Sequence, residues 1–189
     1  MLMGYRILIA DDETLIRVDL RELLEGLGHE VIAEATNGKE ALSLVEMKNP
    51  DVVILDIMMP ELDGIELAAK ISHLYPVVIL SAYTERQLIE RARRAGVMAY
   101  ISKPFREGDV SPAVQLAVSH FLERSALAER VSRLKEQLDA RKVIEQAKGL
   151  LMSQEGLSDA NAYRRLQKIS MDKNKTMKEV AEAVILMLG

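Results

Sequence analysis

Five short apolar runs alternate with four longer helical segments over the first hundred residues of the chain. The runs are rich in Val, Ile and Leu, and the segments between them carry apolar residues at three- and four-residue intervals. Strands are predicted at 5–10, 29–35, 52–56, 77–82 and 98–102. Helices are predicted at 13–26, 38–48, 64–74 and 84–95. This alternation predicts a doubly wound α/β domain built on a five-stranded parallel sheet.

Polar residues stand just after four of these runs: Asp11, Asp12, Asp56, Ser81 and Lys103. Parallel strands place their carboxyl ends at one edge of the sheet, so we expect the five side chains to converge there. Asp56 is the candidate nucleophile, and carboxylates are ligands that Mg²⁺ prefers. Lys103 supplies a fixed positive charge, and Ser81 a hydroxyl, to an incoming phosphoryl group. The pattern predicts a phosphate-transfer site that ends on Asp56.

Each of these residues alone has a common structural explanation. An acidic pair after a strand is often a helix N-cap, which would account for Asp11 and Asp12. Asp56 alone could begin a turn, and Lys103 alone could be a solvated surface charge. The order, the residue types and the strand-end positions of all five together favour the phosphate-transfer site.

Residues 4–120 resemble the receiver domain of two-component response regulators, which has a flavodoxin-like fold, and we predict a receiver domain at 1–120. The segments that carry the resemblance are LIADDE in the first strand, VVILDIMMPELDG around Asp56, LSAY around Ser81 and YISKPF around Lys103. The resemblance implies that the chain is a phosphoprotein of a two-component system. It also implies a sensor histidine kinase as phosphodonor, and a regulator that is not an enzyme acting on an external substrate.

The receiver resemblance also implies roles for individual residues. Asp56 would accept the phosphoryl group, and Mg²⁺ would be bound by Asp12, Asp56 and the Met58 carbonyl, with Asp11 acting through a water molecule. Ser81 and Lys103 would hold the phosphoryl oxygens. Tyr100 would be the aromatic switch that turns inward together with Ser81. Independently of the resemblance, a cis peptide bond before Pro104 would orient the Lys103 side chain.

A long helical segment follows the receiver-like region. Residues 111–147 contain no glycine, and Pro112 suits a first helical turn. Leu127, Val131, Leu134 and Leu138 are spaced four, three and four residues apart, which is a short heptad seam. We predict a coiled-coil linker helix at 121–140 and a homodimer, whose dependence on phosphorylation the sequence leaves open. The alternative is an amphipathic helix packed on its own domain.

The last fifty residues predict a small all-α domain of three helices at 141–189. The first helix is the end of the long helix and closes at Gln154-Glu155-Gly156. The second begins after an N-cap at Ser158 and runs to about residue 171. The third is capped by Thr176 with Glu179 three residues on, a capping-box pattern.

Residues 141–189 resemble the ANTAR domain, the output of antitermination regulators of the AmiR and NasR type. RKVIEQAKGLLM, AYRRLQKISM and TMKEVAEAVI appear in the order and spacing of that family. The resemblance implies transcription antitermination through binding of leader-RNA hairpins. The candidate RNA contacts are Lys142, Lys148, Arg164, Arg165 and Lys168. Tyr163 is interpreted as a core residue, not as a platform for base stacking.

Two other outputs remain open. KEVAEAVI resembles the first helix of a DNA-binding helix-turn-helix, although the sequence leaves no room for a recognition helix after it. A protein-interaction or dimerisation module is the other alternative. Residues 139–189 hold nine basic and seven acidic side chains, or +2; with −4 overall, the first 138 residues carry −6. This uneven charge favours contact between residues 139–189 and a polyanion, but only weakly.

Cellular location is constrained mainly by what the sequence lacks. It contains no cysteine, so disulfides and thiolate zinc sites are excluded. The apolar run at the start is too short to span a membrane, and no signal-peptide cleavage pattern follows it. We expect a cytoplasmic protein with no membrane partner.

Overall fold

The computed structural model describes residues 4–83 and 85–189. The predicted receiver domain begins at residue 1 and one predicted helix begins at residue 84, and both of these positions lie outside the described residues. Contacts divide the chain into two compact units, residues 1–125 and 126–189. Each unit has a core of its own.

The first unit is built on one parallel sheet of five strands. The strands are β1 (Arg6–Ala10), β2 (Glu30–Ala35), β3 (Val52–Asp56), β4 (Val77–Ser81) and β5 (Ala99–Ser102). Their order in the sheet is β2-β1-β3-β4-β5, and each neighbouring pair is parallel. The predicted doubly wound, flavodoxin-like sheet is therefore confirmed.

Helices follow every strand. They are α1 (Thr14–Gly26), α2 (Gly38–Lys48), α3 (Gly64–Ile71), α4 (Arg86–Arg94), α5 (Glu107–Glu155), α6 (Asp159–Lys173) and α7 (Met177–Leu188). Helix α3 is shorter than predicted because the chain leaves the helix at Ser72, whose hydroxyl donates to the Ala95 carbonyl at 2.7 Å. None of the helices in the described part of the chain has the length and apolar character needed to span a lipid bilayer.

The strands bury side chains on both faces of the sheet. β3 (VVILD) and β4 (VVILS) lie in the middle and are buried at every position. Alternate strand residues point to opposite faces, so one face packs against α2, α3 and α4 and the other against α1 and the first turns of α5. Because both faces are covered, these strands are continuous apolar runs.

The second unit is a small helical core. α5 ends at Glu155, and Gly156 follows with φ +67°, a left-handed conformation that glycine adopts at low cost. Ser158 caps α6 by accepting from the Asn161 amide at 3.4 Å. Thr176 and Glu179 form the predicted capping box at the start of α7. The buried residues are Ala147, Leu151, Ala162, Leu166, Val180, Ala181 and Val184.

Candidate functional site

The strand order fixes where polar side chains can gather in the first unit. β1 and β3 are neighbours in the sheet although β2 lies between them in sequence, so connections leave this point toward opposite faces. A crevice forms there, beyond the carboxyl ends of the strands. Asp11 and Asp12 follow β1 directly, and Asp56 is the last residue of β3. The topology thus brings together three carboxylates that are distant in sequence.

Lys103 lies between two of these carboxylates. Its Nζ is 2.7 Å from Asp11 Oδ2 and 3.0 Å from Asp56 Oδ1. Glu13 Oε1 lies farther out, at 3.4 Å from the same nitrogen. Asp11 is fully buried, and the side chains of Asp56 and Lys103 are nearly so. The Lys103–Pro104 peptide is cis.

Burial and pairing act in opposite directions on the charges here. Burial raises the pKa of Asp11, and the hydrogen bond and charge of Lys103 oppose that rise. For Lys103, burial lowers the pKa, but hydrogen bonds to Asp11 and Asp56 outweigh it and leave the pKa above its ordinary value. Lys103 therefore remains a cation at neutral pH. At neutral pH a positive charge therefore lies between Asp11 and Asp56, at the ends of β1 and β3.

The turn after β3 holds the second oxygen of Asp56. The Met58 amide donates to Asp56 Oδ2 at 2.7 Å, and the Gly64 amide donates to the Ile57 carbonyl at 2.9 Å. A Cβ placed on Gly64 would overlap the backbone carbonyl oxygen of Asp56. Gly64 is thus required by the close approach of α3 to the strand that carries Asp56. One oxygen of Asp56 bonds to its own turn and the other faces Lys103.

A cavity of about 250 Å³ opens over Asp56. Its lining residues are Asp12, Glu13, Asp56, Met58, Ala82, Tyr83 and Lys103. Within residues 4–83 and 85–189, no three His, Cys, Asp or Glu side chains form a metal-ligand set by themselves. Mg²⁺ is commonly bound by one or two carboxylates and several waters, so two carboxylates beside the Met58 backbone fit this ion.

Ser81 and Tyr100 lie beside this cavity on the neighbouring strands. Ser81 is fully buried, and its Oγ accepts from the Tyr83 amide at 3.1 Å. The Tyr100 hydroxyl donates to the backbone carbonyl of Tyr83. Both side chains therefore bond to one residue, in the segment that leads from β4 to α4. A change in the backbone conformation of that segment would therefore alter the hydrogen bonds of both Ser81 and Tyr100.

The alternative of a capping acidic pair is corrected by the structure. The N-cap of α1 is Glu13, and its first turn begins at Thr14. Asp11 Oδ1 accepts from the Glu13 amide at 2.9 Å, which closes a turn before the helix starts. Asp12 is exposed at the cavity. Neither aspartate occupies the capping position.

Sequence reasoning missed two residues near this site. Glu13 stands at the cavity mouth, and Arg17 donates to the Asp11 backbone carbonyl at 2.8 Å. A signal for Arg17 was present, because it shares the helical stripe of the buried residues Leu20 and Leu24. An arginine on the apolar stripe of an amphipathic helix indicates a buried partner. No comparable signal marks Glu13.

The candidate RNA contacts of the second unit fall into different environments. Lys142, Arg164 and Lys168 are exposed. Arg164 and Lys168 are four residues apart on α6 and so are neighbours on its outer face. Arg165 is half exposed and pairs with Glu155, with 2.6 Å between Nη1 and Oε2. Four of the five side chains are thus exposed to solvent, and Lys148 is the buried one.

Lys148 is a buried link between two helices. Its side chain is only 9% exposed, and its Nζ lies 2.6 Å from Asp159 Oδ1 and 3.2 Å from Glu145. The hydrogen bond to Asp159, followed by that to Glu145, raises the pKa of Lys148. Glu145 lies on α5 and Asp159 begins α6, so this ion pair ties the two helices together. Lys148 could reach RNA only by leaving Asp159.

The interpretation of Tyr163 as a core residue is wrong. Its side chain is 45% exposed, while the adjacent Ala162 is fully buried. The core-facing positions of α6 are Ala162 and Leu166, four residues apart, and Tyr163 lies about 100° around the helix from Ala162. The ring of Tyr163 is therefore accessible to solvent in this unit.

The heptad seam on α5 is exposed in the single chain. Leu127, Val131, Leu134 and Leu138 are each between 44% and 62% exposed. An apolar stripe at heptad spacing that faces solvent is the feature expected of a helix that pairs with another chain.

Comparison with known proteins agrees with this architecture. The model of the response regulator receiver domain matches residues 7–115, and the ANTAR domain model matches residues 132–185. The transcriptional regulatory protein PdtaR of Mycobacterium tuberculosis is 48% identical over 186 residues, which cover 97% of this chain and 91% of that protein.

Solved structures of receiver domains that resemble the first unit include the following two. A response regulator receiver domain protein from Clostridium thermocellum is 31% identical with a TM-score of 0.56, covering 61% of this chain and 94% of its own. The CheX-CheY-BeF3-Mg²⁺ complex from Borrelia burgdorferi is 29% identical with a TM-score of 0.56, covering 59% and 87%. With both family models and a relative matched along nearly its whole length, the chain belongs to the response regulators that join a receiver domain to an ANTAR output domain.

Proposed function

We propose that Asp56 accepts a phosphoryl group from the phosphohistidine of a sensor histidine kinase. An Asp56 carboxylate oxygen attacks phosphorus, the P–O bond forms, and the N–P bond to histidine breaks. The observation that carries this proposal is the placement of Asp56, Asp12 and Lys103 around one cavity at the switch point of the sheet. Lys103 already lies 3.0 Å from Asp56 Oδ1, where phosphoryl oxygens will need a cation.

Mg²⁺ is the proposed cofactor of this step. Asp12, Asp56 and the Met58 carbonyl would hold the ion, with Asp11 acting through a water, and the ion would offset the negative charge that meets the carboxylate. The Borrelia burgdorferi complex comprises CheX, CheY, BeF3 and Mg²⁺, which supports this choice. Ser81 would donate to a phosphoryl oxygen after its hydroxyl turns from the Tyr83 amide.

Phosphorylation of Asp56 is tested directly with acetyl phosphate and Mg²⁺. Intact-mass measurement should show a single phosphoryl adduct on the wild-type chain and none on Asp56→Asn. Asp51→Asn is the matched control, because Asp51 precedes β3 and its carboxylate accepts from the Arg6 amide, far from the cavity. An adduct that persists in Asp56→Asn would refute the assignment.

The signal is proposed to leave the site through Tyr83. Ser81 and Tyr100 both bond to Tyr83, so a Ser81 hydroxyl that turns toward phosphate frees the Tyr83 amide and alters the partner of Tyr100. Tyr100 is then the switch residue. Phosphorylation of Asp56 would in this way change which conformations are populated at the start of α4.

We further propose that the output domain, residues 141–189, binds RNA hairpins in transcript leaders and acts as an antiterminator. Membership of the ANTAR family supports this, and so does the exposed pair Arg164 and Lys168 on one face of α6. Unpaired loop bases can be splayed out and stacked, and exposed Tyr163 is placed for such a contact. Lys142 and Arg165 are further candidates, and Lys148 is proposed to act mainly by holding α6.

The linker helix, residues 121–140, is proposed to pair with the same helix of a second chain. Its exposed seam supplies the apolar contact, and two output domains in one dimer would hold two adjacent hairpins. A Leu134→Lys variant is expected to remain monomeric in analytical ultracentrifugation under conditions where the wild type dimerises. A monomer that binds a two-hairpin RNA with full affinity would count against the paired arrangement.

RNA contact is tested with a leader RNA carrying two adjacent hairpins. Arg164→Ala with Lys168→Ala should weaken binding and lower its salt dependence, because phosphate contacts release counterions. Lys39→Ala, which removes an exposed lysine of the receiver, should leave binding unchanged. Absence of RNA binding by the wild type would favour a protein-interaction output, and tight binding of duplex DNA would favour the DNA-binding alternative.

A further inference from the structure

Arg17 is a buried charge that phosphoryl transfer itself does not require. It lies on the buried face of α1 with Leu20 and Leu24, and only 9% of it is exposed. Burying a cation in this way costs free energy unless partners compensate for the lost water. The groups that surround the guanidinium therefore indicate its role.

Each nitrogen of the Arg17 guanidinium faces a different oxygen. Nη1 donates to the backbone carbonyl of Asp11 at 2.8 Å, and Nη2 donates to the Thr14 hydroxyl at 3.3 Å. Nε lies 3.4 Å from Glu34 Oε2, as an ion pair across to β2. Arg21 Nη1 pairs with the other oxygen of Glu34 at 2.6 Å. Two arginines share Glu34, and of these two Arg17 is the one that reaches Asp11.

The carbonyl that Arg17 binds belongs to the peptide group between Asp11 and Asp12. On the other side of the same residue, the Asp11 amide donates to the Ala35 carbonyl at 3.1 Å. The Asp11 side chain is bound by Lys103 at 2.7 Å and by the Glu13 amide at 2.9 Å. Hydrogen bonds thus hold both peptide planes that flank Asp11: the Ala35 carbonyl holds the plane toward Ala10, and Arg17 holds the plane toward Asp12. With that plane fixed, the backbone of Asp12 has little freedom to turn away from the cavity.

We propose that Arg17 is a positioning residue for Mg²⁺: anchored on Glu34, it fixes the Asp11–Asp12 peptide and thereby holds the Asp12 carboxylate toward the cavity. This inference rests on the proposed Mg²⁺ site. Groups that orient metal ligands without touching the metal commonly change metal affinity by about 10- to 100-fold when removed. A role in folding alone would lower stability and leave Mg²⁺ affinity unchanged.

The test compares Arg17→Gln with Arg21→Gln by calorimetric titration of the full-length protein with MgCl₂, alongside thermal unfolding in EDTA. Both variants lose an ion pair to Glu34, but Arg17→Gln also loses the bond to the Asp11 carbonyl. We expect the Kd for Mg²⁺ to rise about tenfold in Arg17→Gln and to stay within about twofold in Arg21→Gln. Phosphorylation of Arg17→Gln by acetyl phosphate should recover its wild-type rate at saturating Mg²⁺.

Equal Mg²⁺ affinity of folded Arg17→Gln and Arg21→Gln would overturn the proposal. If Arg17→Gln fails to fold, Arg17→Lys replaces it: a lysine lacks the planar guanidinium whose Nη1 and Nε contact Asp11 and Glu34 separately, so affinity should fall, and wild-type affinity would overturn the role. Measurement of Asp12→Asn distinguishes an error in the proposed Mg²⁺ site from an error in the role of Arg17. Wild-type affinity in Asp12→Asn means that the proposed metal site is wrong, whereas weak binding there beside unchanged Arg17→Gln removes only the role of Arg17.

Discussion

The receiver and the output domain keep their functional groups in opposite conditions. In the receiver, Asp11, Asp56 and Lys103 are buried and paired with one another before any ligand arrives. In the output domain, Arg164, Lys168 and Tyr163 face solvent. A site that performs chemistry needs fixed geometry and low dielectric, whereas a surface that binds a polyanion needs access. The receiver thus has a site whose groups already bind one another, and the output domain has a surface whose groups are free to contact another molecule.

The two cores differ as much as the two sites. The receiver buries Ile, Leu and Val side chains on both faces of a sheet. The output core has seven fully or nearly buried residues, and three of them, Ala147, Ala162 and Ala181, contribute little apolar area. A core of this size supplies only a few kcal/mol of stability. The output domain therefore has far less reserve against mutation than the receiver.

The largest expected effect comes from truncating one output core residue. Leu166 is fully buried, and Leu166→Ala should cost about 2–5 kcal/mol, enough to unfold the output domain. Hydrogen exchange should show lost protection in α6 and α7 with the receiver unchanged, and RNA binding should disappear. Ile54→Ala, at a fully buried position of β3, should leave the receiver folded, and Leu186→Ala, at a residue 86% exposed, should change little. A protected output domain in Leu166→Ala would contradict the difference in core size.

The next largest effect is expected from removing the cation of the receiver site. Lys103→Met leaves Asp11 and Asp56 without compensation, so the free energy of unfolding at pH 7 should fall by about 3 kcal/mol in EDTA. Burial already raises the pKa of Asp11, and losing Lys103 raises it further. The loss should therefore be full at neutral pH and shrink as falling pH protonates Asp11.

Urea unfolding at several pH values measures this effect. Lys39→Met is the control, because its ion pair with Glu61 is exposed and should contribute less than about 1 kcal/mol. Equal losses in Lys103→Met and Lys39→Met, or a loss that is independent of pH, would show that Lys103 is not the compensating charge.

A smaller effect is expected from the lysine that links the output helices. Lys148→Met removes the bonds to Asp159 and Glu145. Lys142→Met removes an exposed lysine and changes the net charge by the same amount. Lys148→Met should lower the thermal midpoint of the output domain, and Lys142→Met should not. In the RNA titration, Lys142→Met should reduce the salt dependence, which is the signature of a direct phosphate contact. If Lys142→Met lowered the thermal midpoint and Lys148→Met reduced the salt dependence, the roles given to the two lysines would be wrong.

The smallest effect concerns pH and His29. Its Nδ1 accepts from the Tyr5 amide at 3.1 Å, and burial lowers the pKa of the ring. Because the folded-state pKa is depressed, the stabilisation is present above about pH 6.5, the unfolded value, and is lost as the pH falls through the folded value. His29→Gln should flatten the fall in unfolding free energy between about pH 7.5 and about pH 5.5, a range that brackets the unfolded pKa of about 6.5. Identical pH profiles for both proteins would rule out this contribution.

Most of the receiver was predictable because its sequence signals are local and redundant. Buried parallel strands leave continuous apolar runs, and chemical groups at strand ends meet at one edge. Asp11, Asp56 and Lys103 could be placed together on that basis. Arg17 and Glu34 could not, because their pairing depends on which face of α1 meets β2 and on side-chain reach across the sheet.

The output domain was predicted less completely for a physical reason. Caps such as Thr176 with Glu179 are local and were read correctly. Whether Tyr163 and Lys148 are buried depends on how three short helices cross, and a core of small residues leaves that crossing weakly encoded. Tyr163 consequently lies outside the core, and Lys148 lies inside an ion pair.

The proposed function requires that the phosphorylation state of Asp56 control RNA binding by the output domain. The most direct test measures the affinity of the full-length protein for a two-hairpin leader RNA with and without BeF3 and Mg²⁺, beside a duplex DNA of equal length. Tighter RNA binding in the presence of BeF3 and Mg²⁺, lost in Asp56→Asn and absent for DNA, is the predicted result. Equal RNA affinity in the two states, or no RNA binding in either, would contradict the claim.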